Sequence, residues 1–430
     1  LIKMDELKYN LENTISEIYK KFNFIQSMNF QKKLSVQSAE SKEYISKHTY
    51  NLNNFNLNEN NIKNNFSDYY KSEWNKMRIA IFLDVELNRN GVGSYFNDLA
   101  KFYTKENFNV DIYNSEGDNK IISSIKFPGD KTQRIPIPNY FDVKKSILKN
   151  KPDLIFLSFY GVFTLIGARM AKMLKIPYIY VVNNDVEKFI NHYYTGFSNF
   201  SLRNMSSQVE KNLINKAQNV VIVNPKLEHI PNRYTPKSVM PIGTLIDSIF
   251  IDTPKPDTVT KINTILYYGR LAIEKNINLV IKSAEKLPHL QFNIAGDGPL
   301  KEDVINASSK LKNLTYLGWI DRSKIIPVIQ DNDIVVMPSS FETFGTVALE
   351  SLSRGRVVIV GENHGIREFE ILNNCLFNIA DFNSLDHAIK TISEFSSERI
   401  SNISEKSFDA VQEYNTRIKE IWIKLVKNVN

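Results

Sequence analysis

The feature that most constrains this chain is an alternation that runs, stops and starts again. From Met77 onward, apolar runs of strand length alternate with longer stretches of helical spacing. "RIAIFLDV" leads through "NRNGVGS" into "SYFNDLAKFYTKEN" and then "FNVDIY", which reads as strand, glycine loop, helix, strand. The pattern continues through "KPDLIFLSF", "GARMAKMLKIP", "YIYVVNND", "VEKNLINKAQN" and "VVIVNP". Strands that are apolar throughout and separated by helices are buried on both faces and lie parallel. The alternation breaks at "TPKPDTVTK" (253–261), whose prolines and polar residues suit a linker, and restarts at "INTILYYGR". The expected α/β architecture is therefore two doubly wound, Rossmann-like domains, 77–252 and 253–403, facing a central cleft where strand C-termini from both can meet one ligand. A last helix, 404–430, is expected to pack back across the pair.

Residues 1–76 form a separate N-terminal extension, mostly helical and Asn-rich. Leu7, Leu11, Ile15, Ile18 and Phe22 share one helical face, whereas the Asn-biased 51–66 reads as linker or loosely packed structure. The extension suits either packing onto the main body or contact with a partner or a second copy. The chain opens on Leu1 rather than Met, which fits a piece of a longer protein, and its polar start lacks a signal-peptide pattern. No apolar run reaches the length of a membrane span. The single cysteine, Cys375, leaves no internal disulfide or cysteine-ligated zinc to expect, and fits a cytoplasmic setting.

The formal charge of +7 fits phosphorylated ligands, an anionic membrane or simply a solvated surface. Zinc-finger spacing and aromatic–basic RNA motifs are both missing, so nucleic acid is not the expected partner. "FDVKKSILKNK" and "SLRNMSSQVEKNLINKAQ" suit peripheral contact with an anionic membrane at its inner face, and equally suit ordinary solvated helices.

Candidate site residues follow the strands of the second domain. Arg270 and Lys275 in "YYGRLAIEKN" stand just past a strand, and two cations there suit a diphosphate: Arg chelates two oxygens and Lys adds a mobile charge. Taken alone the pair also fits surface charge, and its spacing is not that of a Walker A loop. Gly296 and Gly298 in "AGDGPL", like Gly91 and Gly93 in the first domain, permit a sharp turn and close approach of a ligand, or merely an ordinary strand-to-helix turn. In "PSSFETFGTVALESLSRG" a helix is expected to begin near Thr346, with Ala348, Leu349 and Leu352 inward. Thr346 and Glu350 share a face one turn apart, while Glu342 precedes the helix. A sugar–diphosphate–ribose ligand has the same order as Glu342, the N–H groups at Gly345–Val347, and Glu350. "DND" at 331–333 looks like a metal-binding D-x-D, but its place between a helix end and a buried strand favours a structural role.

"YYGRLAIEKN", "AGDGPL", "LTYLGWI", "DIVVMPSSFETFGTVALESLSRGRVVIV" and "HGIRE" stand in the order and spacing of a known family. From about Met77 to the end, the chain resembles the retaining glycosyltransferases of family 4 (GT4, glycosyl transferases group 1), which have the GT-B fold. The resemblance implies that Arg270 and Lys275 bind the donor diphosphate and that Glu342 hydrogen-bonds the transferred sugar beside the backbone of Phe344 and Gly345. It implies that Thr346 and Val347 present N–H groups to phosphate, that Glu350 takes the ribose hydroxyls, and that Gly318 to Ile320 face the base. Gly91 and Gly93 would close over the phosphates from the other domain. The chain departs from the family after "YIYVV", where a histidine is usual and Asn184 stands in its place. Asn donates a hydrogen bond but carries no charge. His192 lies nearby in sequence, where solvent or packing accounts for it.

The implied chemistry is transfer of a sugar from a nucleotide-diphosphate sugar to a hydroxyl of a glycan, glycolipid or protein-linked glycan, with retention. No cofactor or metal is expected, because Arg270, Lys275 and a helix N-terminus meet the charge of the leaving group. A sugar-nucleotide epimerase or phosphorylase of the same fold, or a non-catalytic partner of another transferase, also fits these residues.

Overall fold

The computed structural model describes residues 13, 15–16, 19–20, 27–43, 77–87, 91–116, 121–127, 130–158, 161–193, 196–235 and 237–429. The chain forms two units, Leu1–Asn75 and Lys76–Asn430. In the first, Met28–Glu43 is a helix (α1). Most of the expected apolar face (Leu7, Leu11, Ile18 and Phe22) and the Asn-biased stretch 51–66 lie outside the described residues.

The second unit contains two parallel sheets. In chain order its first half has β1 (Arg78–Phe82), β2 (Asn109–Tyr113), β3 (Ile121–Phe127), β4 (Asp130–Pro138), β5 (Leu154–Ser158), β6 (Tyr178–Val182), β7 (Asn219–Ile222) and β8 (Val239–Pro241). The sheet order is β2-β1-β5-β6-β7-β8 with every pairing parallel. β3 and β4 stand apart as an antiparallel hairpin, which the strand–helix alternation did not announce. Its Pro136 and Pro138 are tolerated because a two-stranded ribbon leaves one edge of each strand unpaired. Every residue of β5 and β6 is buried, as both-face coverage requires. The longer helices of this half are α2 (Gly91–Lys105), α3 (Tyr140–Asn150), α4 (Val162–Leu174), α5 (Val186–Tyr193) and α6 (Gly196–Lys216).

The second half runs β9 (Thr264–Tyr268), β10 (Gln291–Ala295), β11 (Leu314–Gly318), β12 (Ile334–Met337), β13 (Val357–Val360) and β14 (Leu376–Asn378). Its order, β11-β10-β9-β12-β13-β14, is all parallel and reverses direction between β9 and β12. Ligands of open α/β sheets bind at such a switch point, outside the strand C-termini. The helices here are α7 (Ile277–Lys286), α8 (Lys301–Lys310), α9 (Ile325–Gln330), α10 (Thr346–Ser353), α11 (Leu385–Ser393) and α12 (Ser397–Lys427).

α12 joins the lobes. It starts at Ser397 rather than near 404 because Ser396 caps it, accepting from the Arg399 N–H. Near its start, Ser404 Oγ accepts the Val259 N–H at 3.2 Å in the second lobe. Near its end, Trp422 is fully buried among Tyr95, Tyr103 and Phe156 of the first. The segment 253–261 is also held down. Arg354, fully buried just past α10, donates to the carbonyls of Phe250 (3.0 Å), Thr253 (3.2 Å) and Pro254, and Arg356 donates to that of Asp257.

Two local devices shape the cleft. Asp84, at the end of β1, accepts the N–H groups of Gly161, Phe163 and Thr164, so it caps α4 from another strand where Gly161 offers no side chain. Gly296 (φ +143°) lets the loop after β10 lie on the loop after β9: a Cβ there would stand 1.8 Å from the Gly269 carbonyl oxygen.

Candidate active site

The loop after β9 carries both basic candidates. Ile273–Lys275 makes a single tight turn, closed by Asn276 at φ +53°, a left-handed conformation that Asn accepts readily. The Asn276 amide then donates to the Pro338 carbonyl and the Ser340 hydroxyl, both at 2.9 Å, and Ser340 N–H donates to the Glu274 carbonyl at 3.0 Å. The loops after β9 and β12 are thereby stitched across the switch point, which brings Lys275 against Glu342.

Lys275 and Glu342 form an ion pair, and Ser339 Oγ donates to the same carboxylate oxygen at 3.1 Å. Their side chains are 21% and 18% exposed, enough for a ligand to reach the pair from the cleft. Burial would raise the Glu342 carboxyl, but the Lys275 ammonium and its hydrogen bonds outweigh burial and hold the group below its ordinary range. Glu342 is in extended backbone, bridged to the 363–365 segment: its N–H donates to the Asn363 carbonyl and Gly365 N–H donates back, both at 3.0 Å. Arg270 lies in the same loop as Lys275, its guanidinium 3.6 Å from Glu274.

α10 starts at Thr346, where the sequence placed it, with Ala348, Leu349 and Leu352 buried. Gly345 caps it at φ +101°. The amides at the tip of α10 thus follow directly on the Glu342 loop, a position where helix N-termini favour anions. Phe344 is buried against Phe369 and Tyr414, so its ring is a packing anchor and only its backbone is available to a ligand. Gly298 (φ +154°) fits tightly against Leu271, and Gly318 (φ +75°) ends β11 before the half-buried Ile320.

From the facing lobe, Gly91 and Gly93 open α2, and a Cβ at Gly93 would stand 2.1 Å from the Glu86 carbonyl oxygen. Asn184, past β6, accepts the Thr343 hydroxyl at 3.1 Å, and Asn224, past β7, donates to the Thr343 carbonyl at 2.8 Å. Both contacts cross between lobes at the residue next to Glu342. The His192 side chain lies outside the described residues. Asp333 of "DND" accepts from the Asn263 and Thr264 N–H groups at 2.8 and 2.9 Å, a structural task. Among the described residues, no three His, Cys, Asp or Glu side chains gather as a metal site.

Two groups here escaped the sequence reading. His364, within "HGIRE", is fully buried beneath Gly345 and beside Glu342 and Lys275. Burial pushes its imidazole down to about 4, against the pull of Glu342. Its ordinary partner-free place in the motif gave no signal of that burial. Arg322 is the second: it binds Glu350 and, across the cleft, Asp98, a residue 224 positions away in sequence. Glu350 is buried, with Arg322 on one carboxylate oxygen and the Tyr268 hydroxyl 3.2 Å from the other.

The depressed His364 fixes a pH dependence. Between pH 6.5 and 4 the unfolded chain binds a proton at this residue that the folded chain refuses, so its contribution to stability falls as pH falls. From pH 6.5 to 5 that loss is about 2 kcal/mol. His364→Phe, which cannot titrate, should therefore gain on the wild type by about that much over this window in urea titrations. A stability difference that does not change with pH would contradict it.

Two six-stranded parallel sheets facing one cleft, with cationic loops at the switch point of the second, define a GT-B glycosyltransferase architecture. The model of "Glycosyl transferases group 1" matches residues 250–409 and that of "Glycosyltransferase Family 4" matches 89–235. The chain belongs to this glycosyltransferase family. Sulfoquinovosyl transferase of Arabidopsis thaliana is 24% identical over 64% of this chain and 56% of its own length. Alpha-D-kanosaminyltransferase of Streptomyces kanamyceticus is 32% identical over 24% of this chain and 29% of its own. The chain thus spans about half, or less, of the length of these curated relatives. Among solved structures, sucrose-phosphate synthase from Thermosynechococcus elongatus superposes with a TM-score of 0.64 at 16% identity, covering 82% of this chain and 99% of that one. HepE of Anabaena in complex with UDP superposes with a TM-score of 0.59 at 14% identity, covering 82% and 100%. Among the described residues, no helix is long and apolar enough to cross a membrane.

Proposed function

We propose that this chain is a retaining glycosyltransferase that moves a sugar from a nucleotide-diphosphate sugar to an acceptor hydroxyl on a glycan or lipid. The observation that carries the reading is the Lys275–Glu342 pair at the switch point, with Arg270 in the same loop and the tip of α10 following on. A donor diphosphate entering there takes Lys275 and Arg270 as counterions, and the α10 amides add further donors. As the glycosidic bond breaks, charge grows on the leaving diphosphate, and these groups are already in place to receive it. Glu342, kept ionised, accepts hydrogen bonds from the sugar hydroxyls. The acceptor hydroxyl attacks from the leaving-group side and passes its proton to the departing phosphate oxygen as the glycosidic bond breaks, so no protein base is assigned and the reading requires no metal. Support comes from relatives named as transferases and from HepE, solved with UDP and with UDP-glucose.

A thermal-shift screen of UDP-, GDP- and ADP-sugars tests donor binding, since a ligand bound only to the folded state raises the melting temperature. NMR of the product then reads the anomeric configuration. Retention is expected. Inversion, or a new sugar nucleotide formed without acceptor, would defeat the proposal, the latter in favour of an epimerase. Stabilisation by a donor with no turnover across many acceptors would instead indicate a non-catalytic partner.

The same proposal places the protein in the cytoplasm, at the inner face of an anionic membrane. α3, α4 and α6 carry eight Lys and Arg residues against two carboxylates, Asp142 and Glu210. An apolar groove of about 1100 Å³ runs between α4 and α6, and Phe141 is 76% exposed on α3. Arg169, Lys172 and Lys216 line that groove among its apolar side chains, a combination that suits anionic lipid headgroups and the hydrocarbon beneath. Flotation with anionic but not neutral liposomes is the expected result. Equal behaviour with both would remove the membrane from the proposal.

A further inference from the structure

Arg322 is used by none of the chemistry above, yet it pairs with a buried carboxylate on each lobe. Asp321 fixes its turn by accepting the Ser323 N–H at 2.9 Å. From there the guanidinium reaches two carboxylates on different lobes. Nε (3.1 Å) and Nη2 (2.8 Å) donate to one oxygen of Glu350, on its own lobe. Nη1 and Nη2, each at 2.7 Å, donate to the two oxygens of Asp98 on α2 of the facing lobe. The ring of Phe250 lies 5.9 Å from the guanidinium carbon. The Asp98 side chain is 1% exposed and that of Arg322 15%.

A bidentate fork of this kind fixes direction as well as charge, and a lysine cannot reproduce it. Two buried carboxylates share the one guanidinium, and Asp247 lies near enough to add to the negative field. Burial pushes the Asp98 carboxyl up to about 7 despite Arg322. Buried ionic networks of this composition are poor stabilisers compared with apolar packing, which directs attention to what the network orients. What it orients is Glu350, whose second oxygen holds only the Tyr268 hydroxyl among the described contacts.

Resting on the transferase reading above, we infer that Arg322 is the positioning residue for the nucleoside end of the donor. It aims Glu350 at the ribose hydroxyls and, through Asp98, latches the facing lobe over the same site. Burial already raises the Glu350 carboxyl with Arg322 opposing it, and without Arg322 it would rise further toward the neutral acid, a poor acceptor for two hydroxyls. Arg322 pairs with Glu350 and Asp98, a different set of carboxylates from the Lys275–Glu342 pair assigned to the diphosphate end. The inference therefore separates ligands that carry a ribose from those that do not.

The test uses the full chain, isothermal titration with UDP, GDP and ADP, and inorganic pyrophosphate as the probe without ribose. Arg322→Met is expected to weaken the nucleoside diphosphate that the wild type binds by about tenfold or more, and pyrophosphate by less than about twofold. Arg322→Lys should fall between, since it keeps charge and loses the fork. Asp98→Asn leaves Arg322 on Glu350. It should hold nucleotide affinity within about threefold while lowering kcat at saturating donor by about tenfold, because only the latch is lost. If Arg322→Met does not fold, Arg322→Lys gives the same split between nucleotide and pyrophosphate, and Asp98→Asn still reads the latch through kcat. Equal losses for nucleotide and pyrophosphate, or wild-type nucleotide affinity in both Arg322 variants, would overturn the inference while leaving the transferase reading intact. A wild type that binds pyrophosphate but no nucleoside diphosphate would overturn both.

Discussion

Lys275→Ala is expected to lower turnover by about a hundredfold to a thousandfold, the loss typical of a group that meets charge developing in a transition state. The variant removes the counterion of the diphosphate and of Glu342 at once. Glu342 then sits largely buried beside Ser339 and His364 with its ammonium gone, and its carboxyl moves up. Breaking a fully buried pair costs several kcal/mol. This one keeps about a fifth of its exposure, so a loss of about 2 kcal/mol is expected. Adding Glu342→Gln to Lys275→Ala should recover part of the stability, because no uncompensated charge remains, and none of the turnover. Steady-state rates and urea midpoints on the single and double variants read the two effects separately. Turnover within tenfold of wild type in Lys275→Ala would contradict the assignment.

The second large effect belongs to the hinge. Arg354→Met keeps an apolar stem of similar length and deletes the guanidinium that holds the carbonyls of Phe250, Thr253 and Pro254. Each buried carbonyl left unpaired costs about 1–3 kcal/mol, and a total of about 3–5 kcal/mol is expected. The segment around Thr253 and Pro254 should then become the first site of protease cleavage, since the remaining ties, Arg356, Ser404, the buried Val259 and Lys255 over Phe408, leave those two carbonyls unheld. A urea midpoint at the wild-type value, with the segment still resistant, would show that the arginine does not hold the hinge.

These outcomes bear on how much of the molecule was legible in the sequence. The strand–helix alternation gave both sheets, because strands buried on both faces must be apolar throughout and so stand out as runs. The start of α10 was legible for a similar reason: Gly345 marks the turn and the inward stripe begins just after it. The β3–β4 hairpin was not, since its two strands lie outside both sheets and the prolines in "RIPIP" argue against a strand. The segment 253–261 reads as a loose linker from its prolines, yet it is pinned, because the arginines that hold it lie about a hundred residues further on.

The site divides in the same way. Lys275 and Glu342 were named from strand-end position and from the family resemblance, and the structure brings them into contact. Their loops are stitched by Asn276, whose left-handed backbone and side-chain hydrogen bonds were not read from its place at the end of "YYGRLAIEKN". Glu350 was named for a ribose from its helix position and the family resemblance, whereas the Arg322 and Tyr268 groups that hold its carboxylate left no mark in the motif. A pair such as Arg322 and Asp98 exists only once two lobes face each other, so sequence spacing carries no trace of it. Asn184 read as a missing histidine. In the fold it has a defined task, accepting the Thr343 hydroxyl across the cleft beside Glu342.

The central claim is that an activated sugar is gripped by its diphosphate at the switch point of the second sheet. The most direct measurement is a crystal structure with the nucleotide sugar that best stabilises the protein. The account predicts the two phosphates among Arg270, Lys275 and the N–H groups of Thr346 and Val347, with the sugar against Glu342. Density for the ligand in the groove between α4 and α6, or anywhere outside the cleft, would contradict it.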